Sequence, residues 1–370
     1  MSFGLIKRFK DLKKTPESGV KKTFSQHVIV GSGVGALLKL VELRKNHSAE
    51  QVRLISNKPL SRKNLEEEFR QSVSLIRSLT SVEGLYRKHY NAKLLPFKND
   101  SVFYKDGKFH DFNGRAKSME LQGNELFFTH KGYEYEIESF FDAVDWENLD
   151  ELIRTSQERK IFESITKLEA PTDLVDKEEW NLSFKDFSEI GCEFLHVEMA
   201  PHKFLNLISN KNDLDASLID FCSSTESLSA MNVSFELNKD FGMASQTIFV
   251  PQSMTHEWGH FIVEFRDFQN TSKTATCNVM FLVNEEEPQA EDLGAKIKLM
   301  KRVLDRVFPD FEKSIKSEAI RFDDDMFING AKNESLLEVV TRYPTLEFIG
   351  QSKLVEETMS DEKYLTRTLL

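Results

Sequence analysis

The stretch Val28-Ile29-Val30-Gly31-Ser32-Gly33-Val34-Gly35-Ala36 decides the fold. Its first three residues are apolar and β-branched, which is typical of a buried strand. The glycines that follow fit the pattern Gly-x-Gly-x-x-Gly/Ala. Gly31 permits a tight turn, Gly33 lets a ligand approach the backbone, and Ala36 lets the helix pack closely on the strand. The pattern predicts a dinucleotide whose pyrophosphate binds the free N–H groups at a helix N-terminus.

The residues around this turn have the spacing of a strand–helix–strand unit. Residues 24–30 are predicted as a strand, residues 36–46 as a helix with a continuous apolar face, and residues 52–56 as a second strand. A unit of this size implies two parallel strands with a right-handed crossover. We therefore expect the α/β fold class, with a Rossmann-like FAD- or NAD(P)-binding domain.

The second strand ends without the acidic residue that dinucleotide folds usually place there to bind ribose hydroxyls. Ser56 and Asn57 stand at that position, and Lys58 and Arg62 follow. Two interpretations stay open. Ser56, Lys58 and Arg62 could accept a 2′-phosphate, which would indicate NADP. Alternatively, nucleotide binding is weak or lost, although Ser56 and Asn57 could still bind ribose without a charge.

Composition limits the possible functions. The chain has 370 residues, of which 40% are hydrophobic, so it can bury a large core. The formal net charge of -11 speaks against non-specific nucleic-acid binding, and we expect a small-molecule or nucleotide partner. Cys192, Cys222 and Cys277 have neither disulfide-framework nor zinc-site spacing, so we expect no metal and a reducing, cytoplasmic setting. The sequence contains no run of 18 apolar residues, so we expect no transmembrane helix.

Residues 1–22 form a basic N-terminal extension. Apolar residues recur at helical spacing within residues 3–14, which is consistent with a short amphipathic helix. We expect an ordinary solvated extension, with a weak membrane-surface or protein contact as the alternative. Further along, residues 145–170 and 184–230 are predicted to be largely helical. Strands over 260–265 and 276–283 are predicted to form a hairpin, and residues 289–308 an amphipathic helix.

The opening motif, taken with Phe348-Ile349-Gly350-Gln351-Ser352 near the other end, resembles a superfamily of flavoproteins. That superfamily contains FAD-dependent amine oxidases, protoporphyrinogen oxidases and UDP-galactopyranose mutases. The resemblance implies an FAD domain completed by both chain ends, with an inserted α+β substrate domain. Two residues depart from the family pattern, since Gln351 replaces an Asp and Ser56 replaces a Glu.

The resemblance implies a division of the chain. Residues 23–100 and 284–370 would form the FAD-like domain, and residues 101–283 the substrate-type domain. The residues expected to bind the cofactor are Gly31, Ser32, Gly33, Val34, Gly35, Ala36, Ser56, Asn57, Lys58, Arg62, Gly350 and Gln351. No catalytic residue is assigned.

A second motif competes with this interpretation. His256-Glu257-Trp258-Gly259-His260 matches the HExxH pattern of zinc metalloproteases, which requires a helix so that both histidines share one face. The bulky residues that follow favour a strand instead. We expect His256, Trp258 and His260 to pack in the core or to line a substrate pocket.

The leading hypothesis is therefore an FAD-dependent oxidoreductase of the amine oxidase type, with an unknown substrate. The alternative is a non-catalytic or regulatory binding protein on a flavoprotein fold, with weak or lost cofactor binding. An NADP-binding protein and a zinc metalloprotease are the less favoured alternatives.

Overall fold

The computed structural model describes most of the chain. The described residues are 22–56, 60–61, 63–64, 76–77, 94–96, 102–111, 132–135, 146–157, 165–171, 179–243, 247–250, 254, 261–269, 273–283, 290–329, 339, 341–349 and 366–367. Almost all of the basic extension at residues 1–22 lies outside them.

In chain order, the strands and helices of the described residues are β1 (Lys22–Val30), α1 (Val34–Arg44), β2 (Val52–Ile55), β3 (Ile76–Arg77), β4 (Leu94–Pro96), β5 (Val102–Lys105), β6 (Lys108–Asp111), β7 (Gly132–Tyr135), α2 (Trp146–Ser156), β8 (Ile165–Glu169), β9 (Trp180–Phe184), β10 (Glu189–Val197), α3 (Pro201–Leu207), α4 (Ala216–Ser224), β11 (Glu226–Leu237), β12 (Thr247–Val250), β13 (Phe261–Gln269), β14 (Thr274–Val283), α5 (Ala290–Val307), α6 (Phe311–Ser314), β15 (Ile315–Asn329), β16 (Leu346–Phe348) and β17 (Thr366–Arg367).

The first sheet is built around β1. Strand β2 pairs with one edge of β1 and β10 with the other, both in parallel, which confirms the predicted β1–α1–β2 unit. The far edge of β10 is shared by two strands. Its first half pairs with β9 in the antiparallel sense, and its second half pairs with β16 in parallel. The antiparallel strand β8 then follows β9.

Helices cover both faces of this sheet. On one face, α1 and α2 pack against β1 and β2. On the other face, Val28 of β1 and Leu195 of β10 share an apolar core with Phe204 of α3 and Phe221 of α4. Side chains alternate between the two faces of a strand, so residues 27 and 29 of β1 point toward α1.

The second sheet is antiparallel except where β12 pairs with β5 in parallel, and its order is β17-β15-β11-β14-β13-β12-β5-β6. The predicted hairpin is confirmed as β13 and β14, and the predicted amphipathic helix as α5. Met300 and Leu304 of α5 pack on one face of this sheet in a core of buried apolar residues. A small third sheet has the order β3-β7-β4.

Two expectations differ from the observed fold. Residues 184–230 are not largely helical, because all of β10 and the start of β11 fall within this range. The sheets also divide the chain differently from the expected boundary. Strands β8, β9 and β10 lie inside residues 101–283 and belong to the first sheet, whereas β15 lies beyond that range and belongs to the second. Apolar runs of this length fit a buried strand or a buried helix equally well, and backbone pairing decides between them.

Among the helices of the described residues, none combines the length and the apolar character that crossing a bilayer requires.

Candidate functional site

The glycine turn between β1 and α1 binds an anion, and that anion is the side chain of Glu198. The Glu198 carboxylate accepts hydrogen bonds from the backbone N–H of Gly33 at 2.7 Å, of Gly35 at 2.9 Å and of Ala36 at 3.2 Å. The first turn of α1 contains no acidic residue of its own. Glu198 therefore supplies the negative charge that stabilises the positive end of a helix.

The sheet brings Glu198 to this position. Glu198 directly follows β10, and its backbone N–H donates to the carbonyl of Val30 at 2.8 Å. The N–H of Gly31 donates to the carbonyl of Ile55 at 2.9 Å, which fixes the start of the turn on the other side. Three parallel strands thus end side by side, which is the edge where open α/β sheets place their ligands.

Position 31 requires a glycine, because Glu198 lies where a Cβ atom of any other residue would be. A Cβ atom added at Gly31 would lie 2.5 Å from the Cβ of Glu198 and 2.8 Å from a carboxylate oxygen. It would also lie 3.3 Å from the Cβ of Ala36. The small residues of the motif therefore leave space beside the turn, as predicted for a ligand. The side chain of Glu198 fills that space.

A dinucleotide pyrophosphate does not fit this turn as it is arranged. The three N–H groups that would bind its oxygens already donate to Glu198. A phosphate group placed on the same amides would also lie beside a carboxylate, and two like charges at contact distance repel each other strongly. Glu198 would have to leave before a phosphate could enter.

The remaining residues predicted to bind the cofactor fall into two groups. Ser56, just past the end of β2, is only 1% exposed, so its side chain is closed off from solvent. Gly31 and Gly33 are also buried, and Ser32 is partly exposed at the turn. Residues 57, 58, 62, 350 and 351 lie outside the described residues, so their predicted roles stay predictions.

A second polar group lies beneath α1, and we call it the polar column; it is made of His27, His196, Glu347 and Lys39. The Nδ1 atom of His27 lies 3.2 Å from the Nε2 atom of His196. The Nδ1 atom of His196 lies 2.8 Å from the carboxylate of Glu347. The same carboxylate forms an ion pair with Lys39 of α1 at 2.8 Å. The column thus connects α1 with β1, β10 and β16.

Both histidines of the polar column favour the neutral form. Burial, together with the neighbouring His196, His47 and Lys39, lowers the pKa of His27 to about 4, against the opposing effect of Glu347. Burial also lowers the pKa of His196, although its hydrogen bond with Glu347 raises it in part. Both rings are therefore uncharged at neutral pH.

A third polar feature lies on the face of the second sheet opposite α5. Ser234 of β11 lies directly opposite Asn278 of β14, which lies directly opposite Glu264 of β13. Asn232 follows on the same face of β11. These four side chains are between 1% and 7% exposed, so the middle of this sheet face is polar and buried. No local sequence pattern predicted this row.

The HExxH residues His256, Trp258 and His260 lie outside the described residues. The described chain resumes at Phe261, which begins β13. Within the described ranges, no three His, Cys, Asp or Glu side chains are grouped so that they could hold a metal ion. The assignment of these three residues to a substrate pocket stays a prediction.

The α/β fold of this chain is similar to that of solved FAD-dependent oxidases. Solved structures with the same fold are amine oxidases and a protoporphyrinogen oxidase-like protein, as the resemblance in the sequence implied. No family model matches the chain, and no curated protein matches it in sequence.

Three of these structures show how far the similarity extends. Cyclohexylamine oxidase from Brevibacterium oxydans IH-35A has a TM-score of 0.53 and 8% identity, over 88% of this chain and 92% of that one. A putative protoporphyrinogen oxidase from Exiguobacterium sp. 255-15 has a TM-score of 0.51 and 9% identity, over 88% and 93%. Putrescine oxidase bound to putrescine has a TM-score of 0.50 and 9% identity, over 88% and 93%. These TM-scores support a similar fold, and identity this low carries no activity across.

Proposed function

We propose that this chain is a non-catalytic binding or regulatory protein that has the fold of FAD-dependent oxidases and holds no dinucleotide at its glycine turn. One observation carries the proposal, namely the Glu198 carboxylate on the N–H groups of Gly33, Gly35 and Ala36. The side chain supplies from within the protein the negative charge that a cofactor would otherwise bring.

The energetics favour the internal carboxylate. Glu198 is held next to the turn by the backbone bond from its own N–H to Val30, so placing its carboxylate there requires ordering only one side chain. A free dinucleotide would lose translational and rotational freedom on binding, and it would first have to displace Glu198. The absence of an acidic residue between Val52 and Asn64 weakens the site further, since no carboxylate there can bind the ribose.

The second candidate is an FAD-dependent oxidoreductase of the amine oxidase type. The glycine turn itself and the similarity in fold to cyclohexylamine oxidase favour it. In that case Glu198 would turn away from Gly33, Gly35 and Ala36 when the cofactor enters, and NADP would remain the alternative dinucleotide.

The purified full-length chain distinguishes the two candidates. We expect a colourless protein, with no flavin or nicotinamide nucleotide in the supernatant after denaturation and no saturable change in fluorescence on titration with FAD. Stoichiometric flavin would establish the second candidate, and a Gly33→Asp variant should then lose it. A flavin that is retained in Gly33→Asp would show that the pyrophosphate lies elsewhere.

The role of Glu198 is tested by its own substitution. Glu198→Gln keeps the size of the side chain but removes the charge and presents an amide group to backbone donors. We expect a loss of unfolding free energy of about 1–3 kcal/mol, measured by urea denaturation. Glu193→Gln, at an exposed position of β10, is the matched control and should leave stability nearly unchanged. Equal effects of the two substitutions would contradict a special role for Glu198.

A further inference from the structure

The polar column is unusual because it lies between a helix and a sheet, where apolar side chains normally pack. His27 and His196 are 7% and 5% exposed. The two imidazole rings are nearly parallel, with centroids 5.4 Å apart, and His27 also stacks on Phe194 at 4.9 Å. Leu37 and Leu40 of α1 are buried against the same sheet face. The attachment of α1 to the sheet is therefore partly apolar and partly a chain of hydrogen bonds.

The proton positions along this chain follow from its acceptors. The Glu347 carboxylate accepts from Nδ1–H of His196, which leaves a lone pair on Nε2 of a neutral ring. That lone pair accepts from Nδ1–H of His27. The Nε2 atom of His27 then carries a lone pair as well. It is buried and has no hydrogen-bond partner within the described part of the chain.

This arrangement has no place for the proton that would charge His27. A proton on Nε2 of His27 would create a buried N–H donor with no acceptor, which is costly. The charged ring would also lie close to other positive or titratable groups, Lys39 of α1 and His47 of the following turn. Of the charged groups nearby, Glu347 of β16 and Glu42 of α1 are negative, and both already contact Lys39. Strand β2 contributes Val52 opposite His27, which is apolar.

We propose that the polar column is an acid-sensitive attachment, in which proton uptake by His27 and His196 releases α1 from the first sheet. Because α1 also supplies two of the three N–H groups that bind Glu198, its release opens the glycine turn at the same time. This regulation goes beyond the proposed function and does not depend on whether a dinucleotide binds.

The direction of the pH effect follows from linkage. The folded protein holds His27 neutral down to about pH 4, whereas the unfolded or locally opened chain protonates it below its ordinary value of 6.5. The opened state therefore binds more protons than the closed state in this window. The attachment of α1 is fully stable above pH 6.5 and loses stability as the pH falls from 6.5 toward 4.

Amide hydrogen exchange of the full-length chain measures the release directly. After correction for the intrinsic exchange rate, the exchange of the α1 amides should rise by about twentyfold between about pH 7 and pH 5, as linkage predicts for one such group. His27→Asn keeps a donor near the Nδ1 position but cannot titrate, so its rise should be several times smaller than about twentyfold, and what remains is due to His196. His110→Asn, on β6 of the second sheet, is the control and should keep the twentyfold rise.

Two results would overturn the proposal. One is exchange of the α1 amides that does not depend on pH in the unsubstituted protein, and the other is an unchanged pH dependence in His27→Asn. Should His27→Asn fail to fold, nuclear magnetic resonance titration of the unsubstituted histidines decides the matter. Titration of His27 below pH 5 supports the proposal, and a pKa of His27 near its ordinary value refutes it.

Discussion

Gly31 and Glu198 approach each other so closely that neither position tolerates much change. These residues directly follow β1 and β10, which pair along nearly their whole length, so the chain cannot separate them without disrupting both strands. We expect the effects of substitutions at the two positions to depend on each other, since residues in contact rarely behave additively.

A Gly31→Ala substitution tests this contact. The added methyl group would meet the Cβ of Glu198 at 2.5 Å, so we expect a loss of about 1–3 kcal/mol of unfolding free energy, as for other overpacked sites. Gly294→Ala in α5 is the control, because no atom lies within 4 Å of its added Cβ. That change should stabilise the helix by about 0.5–1 kcal/mol. A harmless Gly31→Ala would mean that Glu198 moves away easily.

At this scale the sequence located the turn but not the group that binds it. The glycine pattern predicted a turn whose N–H groups have no partner within the helix, because small residues in that spacing have few other uses. Glu198 was missed, although it is an acidic residue directly after Phe194-Leu195-His196-Val197. Its role depends on β10 lying beside β1, and strand order is not encoded in any local pattern.

At the scale of single elements, α4 is the clearest case of a helix whose start is fixed by a neighbouring residue in the sequence. Asp215 precedes its first turn, and the carboxylate accepts from the backbone N–H of Ser217 at 2.9 Å and from its hydroxyl at 2.6 Å. These bonds lower the pKa of Asp215, with the hydroxyl as the larger cause. The carboxylate thus stabilises the helix above its ordinary pKa of 3.8, and this contribution is lost as the pH falls below that value.

Substitutions of Asp215 test whether its carboxylate caps α4. Asp215→Ala is expected to cost about 1 kcal/mol of unfolding free energy in urea denaturation. Asp215→Asn keeps an acceptor oxygen and should cost less. Asp220→Ala, at an exposed position of the same helix, should have little effect. If Asp215→Ala proves as mild as Asp220→Ala, the cap contributes nothing measurable.

The elements that sequence reasoning identified correctly have strong local signals. Helix α5 has an apolar stripe at helical spacing, and β13 and β14 are two strand-like runs on either side of a polar loop. Strand β10 is mostly buried and shows neither period. The contacts of His196 with His27 and Glu347 could not be predicted either, because the three residues come from three different strands.

For the molecule as a whole, the three thiols behave as core residues. Burial raises the pKa of Cys222 to about 12, and it raises the pKa of Cys192 and Cys277 as well. Because the thiolate is the reactive form, we expect no reaction of the folded chain with a disulfide reagent such as DTNB. All three thiols should react after unfolding. Rapid labelling of any one of them in the native state would place that residue at the surface.

The α/β class of the fold could be predicted from the opening motif, but the division of the strands between the sheets could not. Strand β1 of the opening motif and strand β16 (Leu346–Phe348) both pair with β10. The middle of the chain contributes strands to both sheets, since β8 to β10 join the first and β11 to β14 the second.

The divided edge of β10 has a consequence for synthesis on the ribosome. While the nascent chain elongates, β1, β2, β9 and β10 emerge early, but the half of β10 that later pairs with β16 stays open until β11 to β15 have also been made. An open strand edge is a template for unwanted pairing with other chains. The newborn protein therefore carries an aggregation-prone edge from the synthesis of Val197 until that of Leu346, and we expect chaperone binding to be needed most during that interval.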